Sequence, residues 1–188
     1  MVLLRLGLRM LSRRYIPWTS IRSWSCLMCG ECCRQFKIIL TPYDYAKISK
    51  RFGYEYIYID NLGNPCIKKV NDNRCVFQNA SNLCSLQPLG IKPLACKMWP
   101  FMIHKDPRFE HRDALFHYKG EDYYVYVDRS YPCPGIGKGD SEKLYRTIVE
   151  LIEIQHNPLK HQLYSTSMRR LIESKSVVKH DRKSILGN

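Results

Sequence analysis

Cys26–Cys33 reads CLMCGECC, four cysteines in eight residues, and the fold of so short a chain depends on what those thiols hold. The spacing is Cys26-x2-Cys29-x2-Cys32-Cys33. Cys75, Cys84, Cys96 and Cys133 follow after gaps of 41, 8, 11 and 36 residues. A Cys-x2-Cys-x2-Cys turn wraps three sulfurs around one side of a compact inorganic unit. It matches the first three ligands of a bacterial ferredoxin, whose fourth thiolate comes from a remote Cys-Pro. Cys133-Pro134, in YPCPGIGKG, is such a pair. Zinc also uses Cys-x2-Cys, but normally with a second close pair, and this chain has none. The spacing therefore leans toward an iron–sulfur cluster and leaves zinc open. Adjacent side chains in an extended segment point to opposite sides, so Cys32 and Cys33 are expected to serve a centre differently. Eight thiols supply either two four-ligand sites or one cluster with a supporting shell. In either case, gathering Cys75, Cys84 and Cys96 makes metal binding part of folding. Cys66 stands apart in a predicted strand, as a small apolar residue.

Outside the octet the chain reads as a small α+β domain with short antiparallel hairpins followed by C-terminal helices. QFKIIL is a short β-branched run and is expected to be a strand. TPYDYAKISKRFG carries helix signals at both ends: Thr41 as N-cap, Pro42 at the first position, Asp44 in the first turn and Gly53 as the stop. YEYIYI and CIKKV flank the turn-rich DNLGNP and predict a hairpin. NRCVFQNASNLCSL predicts a second, with Cys75 opposite Cys84, and ALFHY and YYVYVD around KGED a third. Leu144, Ile148, Leu151 and Ile152 trace one face of a helix from Ser141, closed by Pro158. Tyr164, Met168, Leu171 and Ile172 repeat that template. The resulting division is a basic arm over 1–23, a cysteine domain over 24–140, a helical segment over 141–174 and a basic tail over 175–188.

The chain has 188 residues and a formal charge of +13, with the surplus at its ends. No acid precedes Glu31, while Arg5, Arg9, Arg13, Arg14 and Arg22 do. Basic ends raise affinity for nucleic acid or anionic surfaces without sequence preference. The aromatics, however, fall in alternating strand positions rather than among basic residues, so no RNA-binding face is indicated. Arginine interrupts every apolar run of 1–24, which excludes a signal-peptide core or a membrane span. The acid-free, Arg-containing stretch has the look of a mitochondrial presequence, and a start at Met10 would give the same appearance. Without an export signal a reducing, cytoplasmic setting is expected, where dense cysteines read as metal or redox chemistry rather than disulfides.

CLMCGECC, RCVF, NLCSL, KPLACKMWPF and CPGIGKG together resemble the zinc- or iron-chelating CxxCxxCC family, also called YkgJ-like cysteine cluster proteins. The match runs from about Trp24 to Gly139, with Lys92-Pro93, Cys96 and Trp99-Pro100 meeting the family's late pattern. Cys66 and the helical end lie outside it. The resemblance implies a metal centre built from Cys26, Cys29, Cys32, Cys33, Cys75, Cys84, Cys96 and Cys133. The first reading is a [4Fe-4S]-type centre for electron transfer, or the metal module of a larger system, with a redox or other protein partner. Cys26, Cys29, Cys32 and Cys133 are then the preferred ligands, and the other four a second site or shell. The alternative is a structural zinc protein with a nucleic-acid or protein partner. A third reading, protein lysine methylase, follows from a relative with the same cysteine pattern, although no usual glycine-rich cofactor loop is visible.

His104 is the histidine best placed to reach the cysteines and is read as a packing or solvent residue. PGIGKG lacks the spacing of a phosphate loop. Its glycines are expected to let backbone amides approach the sulfur of Cys133.

Overall fold

A computed structural model describes residues 14–166 except 71, 72 and 110. The fold is mixed α+β with antiparallel sheets, as the sequence predicts. Its elements in chain order are β1 (Tyr15–Pro17), α1 (Glu31–Gln35), α2 (Pro42–Phe52), β2 (Ile57–Ile59) and β3 (Pro65–Ile67). There follow α3 (Leu94–Met98), β4 (Phe101–His104), β5 (Leu115–Tyr118), β6 (Glu121–Asp128) and α4 (Ser141–His156).

β6 is the centre of the larger sheet. β4 lies along one edge, from His104↔Tyr124 to Phe101↔Val127. The other edge is shared by β5, opposite residues 121–124, and β1, opposite residues 126–128. Alternation along β6 sends Tyr123, Val125 and Val127 to one face, where they meet Phe101, Ile103 and Phe116. α4 covers that face with Leu144, Ile148, Leu151, Ile152 and Ile154. Each such buried side chain contributes about 2 kcal/mol. The helix starts where expected, the Asp140 carboxylate accepting from the Lys143 amide at 2.7 Å.

A second core belongs to shorter pieces. Ile48 of α2, Ile57 of β2 and Ile67 of β3 pack with Ile38, Leu40, Cys75, Phe77 and Leu86. α2 has the predicted bounds, and its start is a complete capping box between Thr41 and Asp44. The β2–β3 hairpin is also as predicted.

Several expectations are corrected. QFKIIL is not a strand: residues 38–40 run beside β3 with a single bridge, Ile39↔Cys66. In the 74–87 loop Cys75 does not face Cys84. Cys84 stands opposite Gln78 and Cys75 opposite Lys69. Asparagine chemistry wins there, since the Asn79 side chain accepts from the Ser81 and Leu83 amides and tightens the turn. Residues 14–23, within the predicted basic arm, supply β1 and place Ile21 in the sheet core. Tyr164 lies in a bend rather than a helix; Met168, Leu171 and Ile172 are outside the described residues. No described helix is long and apolar enough to cross a membrane.

Candidate metal centre

The octet does not stay extended. Gly30 adopts φ 79° and caps α1, so Cys32 and Cys33 sit on one short helix, where neighbours diverge by about 100° rather than 180°. The neighbouring Cys33 thiol raises the pKa of Cys32. Gly30 has a second reason to be glycine: a Cβ there would lie 2.0 Å from Gln78 Nε2 and 2.9 Å from the Asn82 carbonyl oxygen. Gln78 Nε2 donates to the Gly30 carbonyl at 3.3 Å, which draws the 77–85 loop, and Cys84 with it, onto the octet.

Two more contacts bring the helices together. Phe36, just after α1, stacks on Trp99, just after α3, with ring centroids 4.8 Å apart; this sets Cys96 of α3 beside Cys32 and Cys33. The Asp44 carboxylate accepts from the Leu94 amide at 3.1 Å, capping α3 from α2. Lys69 Nζ donates to the carbonyls of Cys33 and Arg34 at 2.7 and 2.9 Å.

Cys133 arrives along a different path. The Ser25 amide donates to the Gly135 carbonyl at 3.1 Å and the Gly137 amide to the Ser23 carbonyl at 2.9 Å. A Cβ on Gly135 would sit 2.3 Å from the Ser25 carbonyl oxygen, so the two backbones meet only because that residue has none. Trp24 Nε1 then points at Cys133 Sγ, 3.4 Å away.

The thiols fall into two overlapping groups. Cys133 interacts electrostatically with Cys26 and Cys29, and Cys96 with Cys84, Cys32 and Cys75. Cys26 also interacts with Cys32, which places Cys32 between the groups. Two cavities lie among the thiols, and Cys26, Cys32 and Cys96 line both. One, of about 290 Å³, is lined by Cys26, Cys32, Cys33, Cys84 and Cys96; the smaller, of about 50 Å³, is lined by Cys26, Cys29, Cys32, Cys96 and Cys133. Cys66 is elsewhere, buried in β3 with its thiol toward the Asn64 carbonyl at 3.5 Å. His104 faces the Tyr126 ring on the sheet.

The Met28 amide donates to the sulfur of Cys26 at 3.4 Å, and the Phe77, Leu86 and Gly135 amides favour the thiolates of Cys75, Cys84 and Cys133. An N–H aimed at sulfur favours the thiolate. Of the three glycines expected to aid Cys133, Gly135 supplies this amide, whereas the Gly137 amide serves the Ser23 carbonyl instead.

Burial works the other way at several of the thiols. It pushes Cys75 up to about 11, raises Cys26 and Cys133, and raises Cys96 well above the usual range. Two cations stand among them. Lys92 lines both cavities, and although burial opposes its charge, Cys84, Cys26, Cys96 and Cys32 raise its pKa overall. Lys69 is lowered by burial, against the pull of Cys75 and Cys33. Neither lysine was given a role from sequence; Lys92 lay in plain view inside the KPLAC stretch, but its reach into both cavities is a tertiary fact.

All nine cysteines are free thiols. Among the described residues, no three Cys, His, Asp or Glu side chains already stand in closed ligating geometry. The donors are gathered without being drawn onto one point, and the donor set suits a thiophilic metal or cluster: soft sulfur ligands, amides directed at them and cations to offset their charge. No curated protein and no solved structure matches the chain. The family model described as CxxCxxCC, "Putative zinc- or iron-chelating domain", matches residues 25–123, a span that holds seven of the eight gathered cysteines, Cys133 alone lying beyond it. The chain belongs to the CxxCxxCC family of zinc- or iron-chelating domains.

Proposed function

We propose that the chain holds an iron–sulfur centre of the [4Fe-4S] type and serves electron transfer, or acts as the metal module of a larger redox system with a protein partner. Cys26, Cys29, Cys32 and Cys133 are its ligands on this reading, with Cys33, Cys75, Cys84 and Cys96 as a supporting shell or second site. The observation that carries it is that Cys26, Cys29, Cys32 and Cys133 line one small cavity. A Cys-x2-Cys-x2-Cys turn and a distant Cys-Pro are the parts of a ferredoxin-type ligand set. Such a centre, when bound, exchanges one electron at a potential set by its surroundings.

The chain's own residues supply those surroundings. The Met28 amide and the Trp24 indole donate to ligand sulfurs, which stabilises negative charge on them. Lys92 offsets part of that charge from inside the protein. Nine free thiols suit a compartment that keeps cysteine reduced. Structural zinc is the second reading, favoured by the group of Cys75, Cys84 and Cys96 with Cys32, since four thiols are what a structural zinc takes.

Colour and metal analysis separate the two. Protein purified without oxygen is expected to show a broad shoulder at roughly 400 nm that air bleaches, with iron and acid-labile sulfide in similar amounts. A colourless preparation holding stoichiometric zinc and no sulfide would replace the cluster with zinc.

A further inference from the structure

The segment following α4, which the family match does not reach, contributes a residue to the lining of each thiol cavity. Ser165 lines the smaller one and Thr166 the larger. Residues 159–166 have no regular secondary structure, yet Gln162, Ser165 and Thr166 are each only 4% exposed. Three polar side chains buried on an irregular segment need dedicated partners.

Glu150 of α4 provides the principal one. It is a buried carboxylate, 3% exposed, and it accepts from three successive backbone amides. The Leu163 amide reaches Oε1, the Tyr164 amide lies 3.2 and 3.1 Å from Oε1 and Oε2, and the Ser165 amide lies 2.7 Å from Oε2. Consecutive amides converging on one anion form a cradle of the kind that holds bound anions; here the anion belongs to the chain. α3, which carries Cys96, makes the remaining ties. Lys97 Nζ donates to the Pro158 carbonyl at 2.6 Å, and Gln162 Nε2 donates to the Lys97 carbonyl at 3.3 Å and to Ser165 Oγ at 2.6 Å.

We propose that Glu150 is a positioning residue that clamps residues 162–166 as a wall over the cysteine cavities and so controls how fast small molecules from solvent reach the thiols and whatever they hold. Apolar packing plays little part in that wall, since Leu159 and Leu163 are 58% and 51% exposed. Its closure therefore follows the carboxylate–amide bonds, each stronger than a neutral hydrogen bond. The consequence for a metal rests on the reading above, but the accessibility of the thiols does not.

The test is alkylation of the full-length protein, as purified, by iodoacetamide, with labelling followed cysteine by cysteine by mass spectrometry and metal per chain measured in the same samples. Glu150→Gln removes the charge and turns one acceptor into a donor. Labelling of Cys26 and Cys96, which border both cavities, is expected to accelerate about tenfold, the factor that the loss of one such bond implies. Cys66 should keep its rate, and extraction of bound metal by a chelator should accelerate alongside. Ile154→Val, a buried change on the same helix, serves as the stability control. Unchanged labelling in Glu150→Gln, or equal acceleration in Ile154→Val, would overturn the clamp. If Glu150→Gln yields no soluble protein, Gln162→Ala is read by the same criteria. A wild-type chain without metal would remove the cluster reading and leave the labelling result to decide the clamp.

Discussion

Gly30 shows how much one residue of the octet is asked to do. It must reach φ 79° and also leave room for Gln78 and Asn82, whereas Gly63, at φ 82°, has nothing within 4 Å of the missing Cβ. Gly63→Ala should therefore cost only the backbone strain, about 1 kcal/mol, and Gly30→Ala at least about 2 kcal/mol with lost metal content. Thermal melts and metal analysis of the pair check this; equal losses would mean that the close approach is irrelevant. Cysteine identity can be separated the same way. Cys66→Ala is expected to leave metal per chain unchanged, because its thiol faces Asn64, while Cys29→Ser is expected to lower it. Glu153 gives a pH dependence of known sign. Its carboxylate accepts from Tyr118 Oη at 2.6 Å and pairs with Lys160 at 2.7 Å, and Lys160, the largest influence, helps hold it down to about 2. A lowered carboxylate stabilises above its ordinary value of 4.5 and loses that contribution as pH falls toward about 2. Melting temperature should fall less steeply across that window in Glu153→Gln than in wild type.

At the scale of elements, legibility follows how local the cause is. α2 and α4 were readable because cap, stripe and stop lie close together in sequence: Thr41 and Gly53 bound one, and Leu144, Ile148, Leu151 and Ile152 face inward on the other. The β2–β3 and β5–β6 hairpins were readable from their turns. β1 was not, because a three-residue strand in an arginine-flanked stretch is defined by its partner, β6, more than a hundred residues away. The candidate site divides similarly. The eight cysteines were visible as a set, but the amides that meet their sulfurs, the Phe36–Trp99 stack and the wall formed by residues 162–166 depend on tertiary placement. β1 carries its own prediction. Deleting residues 1–23 removes that strand and Ile21 from the sheet core, so the truncated chain should melt lower by several degrees. An unchanged melt would mean that this edge of β6 needs no cover.

For the whole molecule, the decisive feature is that the two cores are built differently and meet at the cysteines. The sheet core has an eight-residue central strand and a sixteen-residue helix and holds Cys26 and Cys133 at its margin. The other core rests on three-residue strands, turns and one eleven-residue helix, with Cys33, Cys84 and Cys96 packed against it. Short elements contribute few ladder bonds and little apolar area, so small assemblies of this kind normally need a metal or other staple. Metal that binds the folded state alone adds its binding energy to folding. That energy should fall unequally, since the sheet core can persist on α4 and β6 while the second core has no comparable scaffold. Removing metal with a chelator is therefore expected to cost residues 36–92 most of their amide protection while β4, β6 and α4 keep theirs, as hydrogen exchange with mass spectrometry would read. Simultaneous loss in both regions would mean that the cores are one cooperative unit; protection unchanged everywhere would mean that the thiols organise the fold without a metal.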